Sequence, residues 1–162
     1  MTILTDVALR DRREFLNIDE QELTDLVEAW KFIEGEFPAI VDRFYERMGV
    51  LTKVERVAHM INNNDRLKRK QFNHWSTLFR GSLSSAYVDQ VRRSGIAHHE
   101  VGISLTDLVD GYAFIFDAII KVLQEKLADD PARALQYTRS IQKLVAIDVG
   151  AALCVYDAVL VG

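Results

Sequence analysis

Two adjacent histidines, His98 and His99, stand between two glycines in the stretch RSGIAHHEVGIS, residues 93–104. An imidazole can bind a metal or carry a proton near neutral pH, so this pair is the first candidate for chemistry. Adjacent residues on a helix point about 100° apart, and only one of the two can therefore face a given pocket. Helical steps back from His98 reach small or apolar residues, whereas the step of seven from His99 reaches Arg92. The spacing predicts that His98 faces inward and that His99 lies on the solvated flank.

Other kinds of site are less well supported by the residue pattern. A di-iron bundle needs Glu-x-x-His motifs from two helices, and the four histidines supply none of them. The sequence has no Gly-x-Ser-x-Gly motif and no phosphate-binding loop. The basic run RLKRK, residues 66–70, is predicted to be a solvated helix face because the protein is acidic overall. We therefore expect neither an enzyme nor a nucleic-acid-binding protein, and His98 remains open to a second interpretation as a core residue bonded to a backbone carbonyl.

Length and composition indicate one compact domain. A chain of 162 residues is long enough for one well-filled core and too short for two ordinary domains. The hydrophobic fraction of 49% is typical of a folded protein, and the net charge of -4 gives no general attraction to nucleic acid or anionic membranes. A single cysteine cannot form an internal disulfide, which favours the cytoplasm. Residues 144–162 approach the length of a membrane span, but Asp148 and Asp157 interrupt them, so we expect a buried helix instead.

Hydrophobic periodicity is helical along the chain, and no run alternates long enough to propose a strand. Glycines at positions 81 and 102 are predicted to end two helices, and Ser104 with Asp107 is predicted to begin another. The sequence therefore predicts an all-α single domain of about seven to eight helices, with residues 1–18 as an N-terminal extension containing a short helix and 19–162 as the core. The predicted helices are 19–34, 38–50, 53–61, 65–81, 84–102, 104–126 and a last helix from 130 onward.

The pattern around His98 resembles that of a known family. In GIAHHEVGI, residues 95–103, a glycine, two residues, a histidine, three residues, a glycine and an aliphatic residue follow one another, as at the end of the heme-bearing helix of globin-coupled sensors. A second match, VDRFYERM, places Asp42, Phe44 and Tyr45 at the spacing of the family's distal tyrosine. A third, looser match covers residues 65–79. The motifs occur in the family's order, and the resemblance extends over about residues 8–160. It implies a globin-like fold.

The resemblance also implies a heme site. His98 would be the axial ligand of the iron of heme b, and Tyr45 would donate a hydrogen bond to a bound gas; a core tyrosine bonded to a backbone carbonyl is the alternative for Tyr45. An axial histidine must be a neutral imidazole on a rigid element, and unpaired carbonyls near a helix end can orient its other ring nitrogen. The sequence has no Cys-x-x-Cys-His run, so the heme would be held noncovalently. The further residues expected at the heme are Phe44, Leu67, Lys70, His74, Tyr87 and Val91.

Two departures from the family pattern bear on this expectation. Lys70 stands where relatives often have a small polar or aliphatic residue in the distal pocket, and we favour a side chain that extends outward to a heme propionate over one that reaches the iron. After the proximal helix the chain continues ISLTDLVDGYAF, residues 103–114, without the proline and the tryptophan-tyrosine pair of many members. This second departure leaves a heme-free member of the fold as an alternative.

The function implied by the resemblance is that of a gas sensor. The favoured ligand is O2, with carbon monoxide and nitric oxide as other diatomic candidates, and the sensor would signal to a downstream transducer domain that this chain, ending at Gly162, does not contain. The alternatives are a heme-free interaction or regulatory module, and a globin with O2/NO redox chemistry.

A homodimer through the last two helices is predicted from apolar residues of the last helix. One set makes a single seam that could face the protein's own core, and a second set lies on other sides of the same helix. If a surface helix needs only one apolar face, the second set requires a partner, and the helix over 104–126 also has apolar residues to spare. Gly150 and Ala151 would permit close approach of helices there. The first set is Ile141, Val145, Val149, Ala152, Tyr156 and Val159, and the second set is Leu144, Ile147, Ala151, Leu153 and Val155.

Overall fold

The computed structural model describes residues 5–51, 65–81 and 83–161, which form seven α-helices and no strand. The predicted all-helical single domain is confirmed. The short helix predicted over 53–61 and the asparagines 62–64 after it lie outside the described residues. The helices are α1 Asp6–Phe15, α2 Glu20–Ile33, α3 Phe37–Leu51, α4 Asp65–Phe79, α5 Ser85–Glu100, α6 Leu105–Lys126 and α7 Pro131–Val161.

Local hydrogen bonds and turns define the helix ends, and those at Ser104 and Gly102 are the ones that the sequence predicted. The side chain of Asp19 accepts a hydrogen bond from the backbone nitrogen of Glu22 and caps α2. Ser104 and Asp107 form a reciprocal capping box at the start of α6. After α5 the chain turns through Gly102, whose φ of 83° is a left-handed conformation that favours glycine.

Helix α7 is the central element of the fold, because it packs against α1, α2, α4, α5 and α6. It is therefore buried on more than one face. Among residues 5–51, 65–81 and 83–161, no helix combines the length and apolar character that a membrane span requires.

This central position corrects the sequence-based argument for a dimer. Four residues of the set assigned to a partner, Leu144, Ile147, Ala151 and Val155, are buried in the chain's own core, and of that set only Leu153 is half-exposed. Conversely, two residues assigned to the core seam, Val145 and Val149, are only half-buried. The premise that one apolar face suffices was wrong for a helix surrounded by five others.

Helices α4 and α5 form two separate walls. Aromatic rings fix α4 to α2 and α3, with Trp30 stacked on Phe79 at 4.8 Å between ring centroids and Phe37 packed edge-on against Phe72 at 6.1 Å. Helix α5 packs instead on α7. Within the described part of the chain, α4 and α5 share no extended packing surface. We refer to the region between these two helices as the cleft, and it is there that the sequence places its candidate chemistry.

Candidate functional site

Helix α5 carries His98 at the end of a buried stripe. Tyr87, Val91 and Gly95 are buried along that stripe, and the absence of a side chain at Gly95 is what lets α5 approach α7, since a Cβ atom there would lie 2.7 Å from Cγ1 of Val155. One turn later, the half-buried imidazole of His98 makes no hydrogen bond or ion pair in the part of the chain that the structure describes. Burial lowers its pKa below the ordinary 6.5, and the charge of His74 lowers it further. His98 is therefore a neutral imidazole with a lone pair available.

His99 points in a different direction, as the helical phase requires, but its surroundings differ from the prediction. Its ring lies edge-on to the ring of Tyr156, 6.0 Å between centroids, and the residue is half-buried. The predicted solvated flank is wrong because Tyr156 of α7 covers this side of α5. The hydroxyl of Tyr156 also donates a hydrogen bond to the carbonyl of Ile103, which attaches the turn after α5 to α7.

Tyr45 lies on α3, next to α4. Its ring is in edge contact with that of Phe44, 5.1 Å between centroids, and Phe44 in turn packs where Gly111 of α6 leaves room. Burial raises the pKa of Tyr45 to about 12, against a hydrogen bond with the side chain of Gln71 that acts to lower it. The phenol therefore keeps its proton throughout the physiological range and is a hydrogen-bond donor.

A fully buried carboxylate, Asp148 of α7, joins four helices through hydrogen bonds. One oxygen, Oδ1, accepts from the hydroxyl of Tyr87 on α5 at 2.5 Å. The other, Oδ2, accepts from the hydroxyl of Tyr112 on α6 at 2.6 Å and from Nε2 of His74 on α4 at 2.7 Å. We refer to these four residues as the Asp148 hub. The side-chain amide of Gln90, also on α5, lies 3.1 Å from Nδ1 of His74 and extends the hub across the cleft.

The charges within the hub compensate one another. Burial acts to lower the pKa of His74, but the charge of Asp148 and the hydrogen bond to it raise that pKa above its ordinary 6.5. Burial acts to raise the pKa of Asp148, but the charge of His74 and the hydrogen bonds from His74, Tyr112 and Tyr87 lower it below 3.8. The buried carboxylate of Asp148 therefore favours the protonated form of His74, and the two make a buried ion pair when the ring is protonated. The amide of Gln90 can present either its oxygen or its nitrogen to Nδ1 and so fits both protonation states of the ring.

The family model described as Protoglobin matches residues 5–159, nearly the whole chain. The chain belongs to the protoglobin family. It is also similar to a solved structure, the globin domain of a Geobacter sulfurreducens globin-coupled sensor, with a TM-score of 0.78 and 17% identity over 91% of this chain and 96% of that chain. At this identity the similarity concerns the fold, and it confirms the predicted globin-like fold. No protein in the curated set matches the chain.

The residues predicted to line the protoglobin site fall into two groups with different surroundings. His74 and Tyr87 belong to the Asp148 hub, and Tyr45 contacts Phe44 and Gln71. The other four have no hydrogen bond to either group within the described chain: Val91 is buried on the inner face of α5, His98 and Leu67 are half-buried, and Lys70 is exposed.

Four polar residues that contact the predicted site residues or one another were not themselves predicted: Gln71, Gln90, Tyr112 and Asp148. Asp148 had a clue in the sequence, because a carboxylate inside the apolar run 144–162 needs buried partners. The position of Asp148 in that run argues against a membrane span but does not identify the partners of the carboxylate. For Gln71 and Gln90 the sequence offers no comparable clue, since polar residues are common on helix surfaces.

Proposed function

We propose that this member of the protoglobin family binds heme b through His98 and acts as a non-enzymatic sensor of a diatomic gas, with O2 as the favoured ligand. The observation that carries the proposal is the state of His98: a neutral imidazole, without a hydrogen-bond partner in the described chain, held on a helix that faces α4 across a cleft. A histidine that served only to pack the core would have its ring nitrogens satisfied.

The donor set of the cleft fits heme b. Iron needs an unprotonated imidazole nitrogen on a rigid element, and α5 is held rigidly by the close contact of Gly95 with Val155 and by the capped turn at Gly102. His74 is not the second candidate ligand that its residue type suggests, because Asp148 and Gln90 occupy both of its ring nitrogens. Bound heme would supply an iron centre that takes up a diatomic gas reversibly.

On the opposite wall, Tyr45 would discriminate between gases. A protonated phenol donates a hydrogen bond to the outer atom of a gas ligand in proportion to the negative charge on that atom. Gln71 hydrogen-bonds with the same hydroxyl and would hold it in position. Tyr45, held by Gln71, would therefore stabilise a bound polarised ligand such as O2 more than bound carbon monoxide.

We further propose that the signal leaves through a homodimer formed by α6 and α7. Helix α6 supports this with an apolar stripe at helical spacing, in which Val109 is 42% exposed, Ala113 is exposed, and Phe116 and Ile120 are half-buried. Helix α7 packs directly on α5, the helix that carries His98. A shift of α5 would therefore displace α7, which also carries the half-exposed Leu153.

Hemin titration of the purified chain tests the heme proposal. The parent chain and a His99→Ala variant are expected to develop a Soret band with one hemin per chain, whereas His98→Ala is expected to lose it or to bind weakly. His99 is the matched control because it is the adjacent histidine of the same helix end and contacts Tyr156 instead of the cleft. The reverse pattern would show that the proximal ligand is misassigned.

A heme-free regulatory module is the second candidate, and one observation favours it. The contact between Gln90 and His74 spans the cleft between α4 and α5, so the two walls are already bridged by protein groups. For this candidate, hemin titration would give no saturable Soret band in the parent chain.

A further inference from the structure

The Asp148 hub is the principal polar link between the two walls of the cleft. In the described chain α4 and α5 share no extended packing surface. Their relative position therefore depends on α7, on which both pack, and on the side chains that connect them. Two paths of hydrogen bonds connect them: from Tyr87 through Asp148 to His74, and from Gln90 directly to His74. Both paths end on the same histidine of α4.

The functional side chains of the two walls lie on the helices that the hub holds. Gln71, which bonds Tyr45, precedes His74 by three residues on α4, so the two lie within one turn. His98 follows Tyr87 on the same buried stripe of α5, three helical turns away. A change in the distance between His74 and Tyr87 would therefore change the distance between Gln71 and His98.

We propose that Asp148 is a positioning residue that fixes the separation of α4 and α5, and with it the width of the cleft between Gln71 and His98. The inference rests on the proposed function for the use of that cleft, although the positioning itself is a property of the chain without heme. Buried, fully satisfied polar networks rigidify and specify a single packing arrangement in this way.

The hub provides its own matched control. Tyr87 and Tyr112 each donate one hydrogen bond to the same carboxylate, at 2.5 and 2.6 Å, and both are buried or half-buried aromatic residues. Only Tyr87 belongs to a wall of the cleft, since Tyr112 is on α6. A positioning role predicts different effects for Tyr87→Phe and Tyr112→Phe, whereas a role in stability alone predicts similar ones.

The test measures the distance between α4 and α5 directly, in the chain without heme. Spin labels are attached at Asn73→Cys on α4 and Ser94→Cys on α5, both exposed positions, after Cys154→Ser has removed the chain's own thiol. Double electron–electron resonance then gives the distribution of distances between the labels. Circular dichroism confirms that each variant is folded at the measuring temperature.

Tyr87→Phe is expected to broaden this distribution and Tyr112→Phe to leave it as in the parent. Because the lost hydrogen bond goes to a charged group, the population of states with α5 detached is expected to rise by roughly tenfold or more. Equal broadening in the two variants, or none in either, would overturn the proposal.

A second pair of variants tests the carboxylate itself. Asp148→Asn keeps the shape of the side chain and is expected to broaden the distribution. Asp25→Asn is the control, because Asp25 is likewise a buried carboxylate with two hydrogen bonds, from Gln21 and Gln136, but lies between α2 and α7. An unchanged distribution in folded Asp148→Asn would also overturn the proposal.

Hemin binding separates this inference from the proposed function. If the parent binds hemin, Tyr87→Phe is expected to release it to apomyoglobin several-fold faster than Tyr112→Phe does. Equal release rates in the two variants would contradict the positioning role. If no variant binds hemin, the proposed function fails, and the distance distributions still decide the positioning role.

Discussion

Replacement of His74 by leucine would leave the buried carboxylate of Asp148 without its positive neighbour. The side chain of Asp148 is 0% exposed and that of His74 15% exposed, so solvent screens this pair only weakly. Removing one partner of a buried ion pair costs about 3 to 5 kcal/mol. For a domain of this size each kcal/mol lowers the Tm by about 2 to 4 °C, so His74→Leu is expected to lower it by roughly 6 to 20 °C at about pH 6.

The stability lost in His74→Leu should depend on pH, and the directions of the pKa shifts determine whether the loss grows or shrinks as the pH falls. In the parent, the pKa of Asp148 lies below 3.8 and that of His74 above 6.5, so the pair contributes its full stability between those values. That contribution is lost as the pH falls through the folded pKa of Asp148 or rises through that of His74. In the variant, burial without the imidazolium raises the pKa of Asp148, so the folded state takes up a proton and gains stability as the pH falls.

Urea unfolding followed by circular dichroism at about pH 6.3 and about pH 4.5 measures this difference. Each pH unit below the raised pKa restores about 1.4 kcal/mol to the variant, so its deficit against the parent should be clearly smaller at the lower pH. His99→Leu is the control, because its ring contacts Tyr156 and its loss removes no partner of Asp148. A deficit for His74→Leu that is below about 1 kcal/mol, or equal at both pH values, would refute the buried ion pair.

Three further predictions concern the gas site, the α5 contact and the assembly. Tyr45→Phe deletes a donor worth about 0.5 to 1.5 kcal/mol, so O2 dissociation measured by stopped flow should become several-fold faster with a smaller change for carbon monoxide; equal changes would exclude a donor role. Gly95→Ala places a Cβ 2.7 Å from Cγ1 of Val155 and should cost about 1 to 3 kcal/mol in urea unfolding, part of which Val155→Ala in the same chain restores. An unaltered unfolding midpoint in Gly95→Ala would mean that α5 does not approach α7 this closely. Light scattering should give a mass of about twice the 18.5 kDa of one chain, and Leu153→Glu should reduce that mass to the mass of one chain. A single-chain mass for the parent would rule out the dimer. A dimer that Leu153→Glu leaves intact would place its interface elsewhere.

The candidate site could be predicted from the sequence only where its geometry is local. The direction of His98 follows from the phase of one helix, and the structure confirms that its stripe, with Tyr87 and Val91, is buried. The partners of His74 could not be predicted, because Asp148 lies 74 residues further along the chain. Tyr87 and Tyr112 reach the same carboxylate from 61 and 36 residues away. No periodicity in one segment contains information about which residue of another segment it will face.

The sequence by itself determined the helices, because their start and stop chemistry acts over three or four residues: Asp19 bonds to Glu22, Ser104 to Asp107, and Gly102 adopts a left-handed turn. It also determined that the side of α5 with Tyr87 and Val91 faces inward, although not that Tyr156 would cover His99 as well. Only the tertiary structure decided that α7 lies at the centre, and therefore that residues such as Ile147 and Ala151 serve the chain's own core. The physical reason is that hydrophobic burial is non-directional: it requires an apolar face to be covered without specifying by which element, so helix packing alone settles which faces meet.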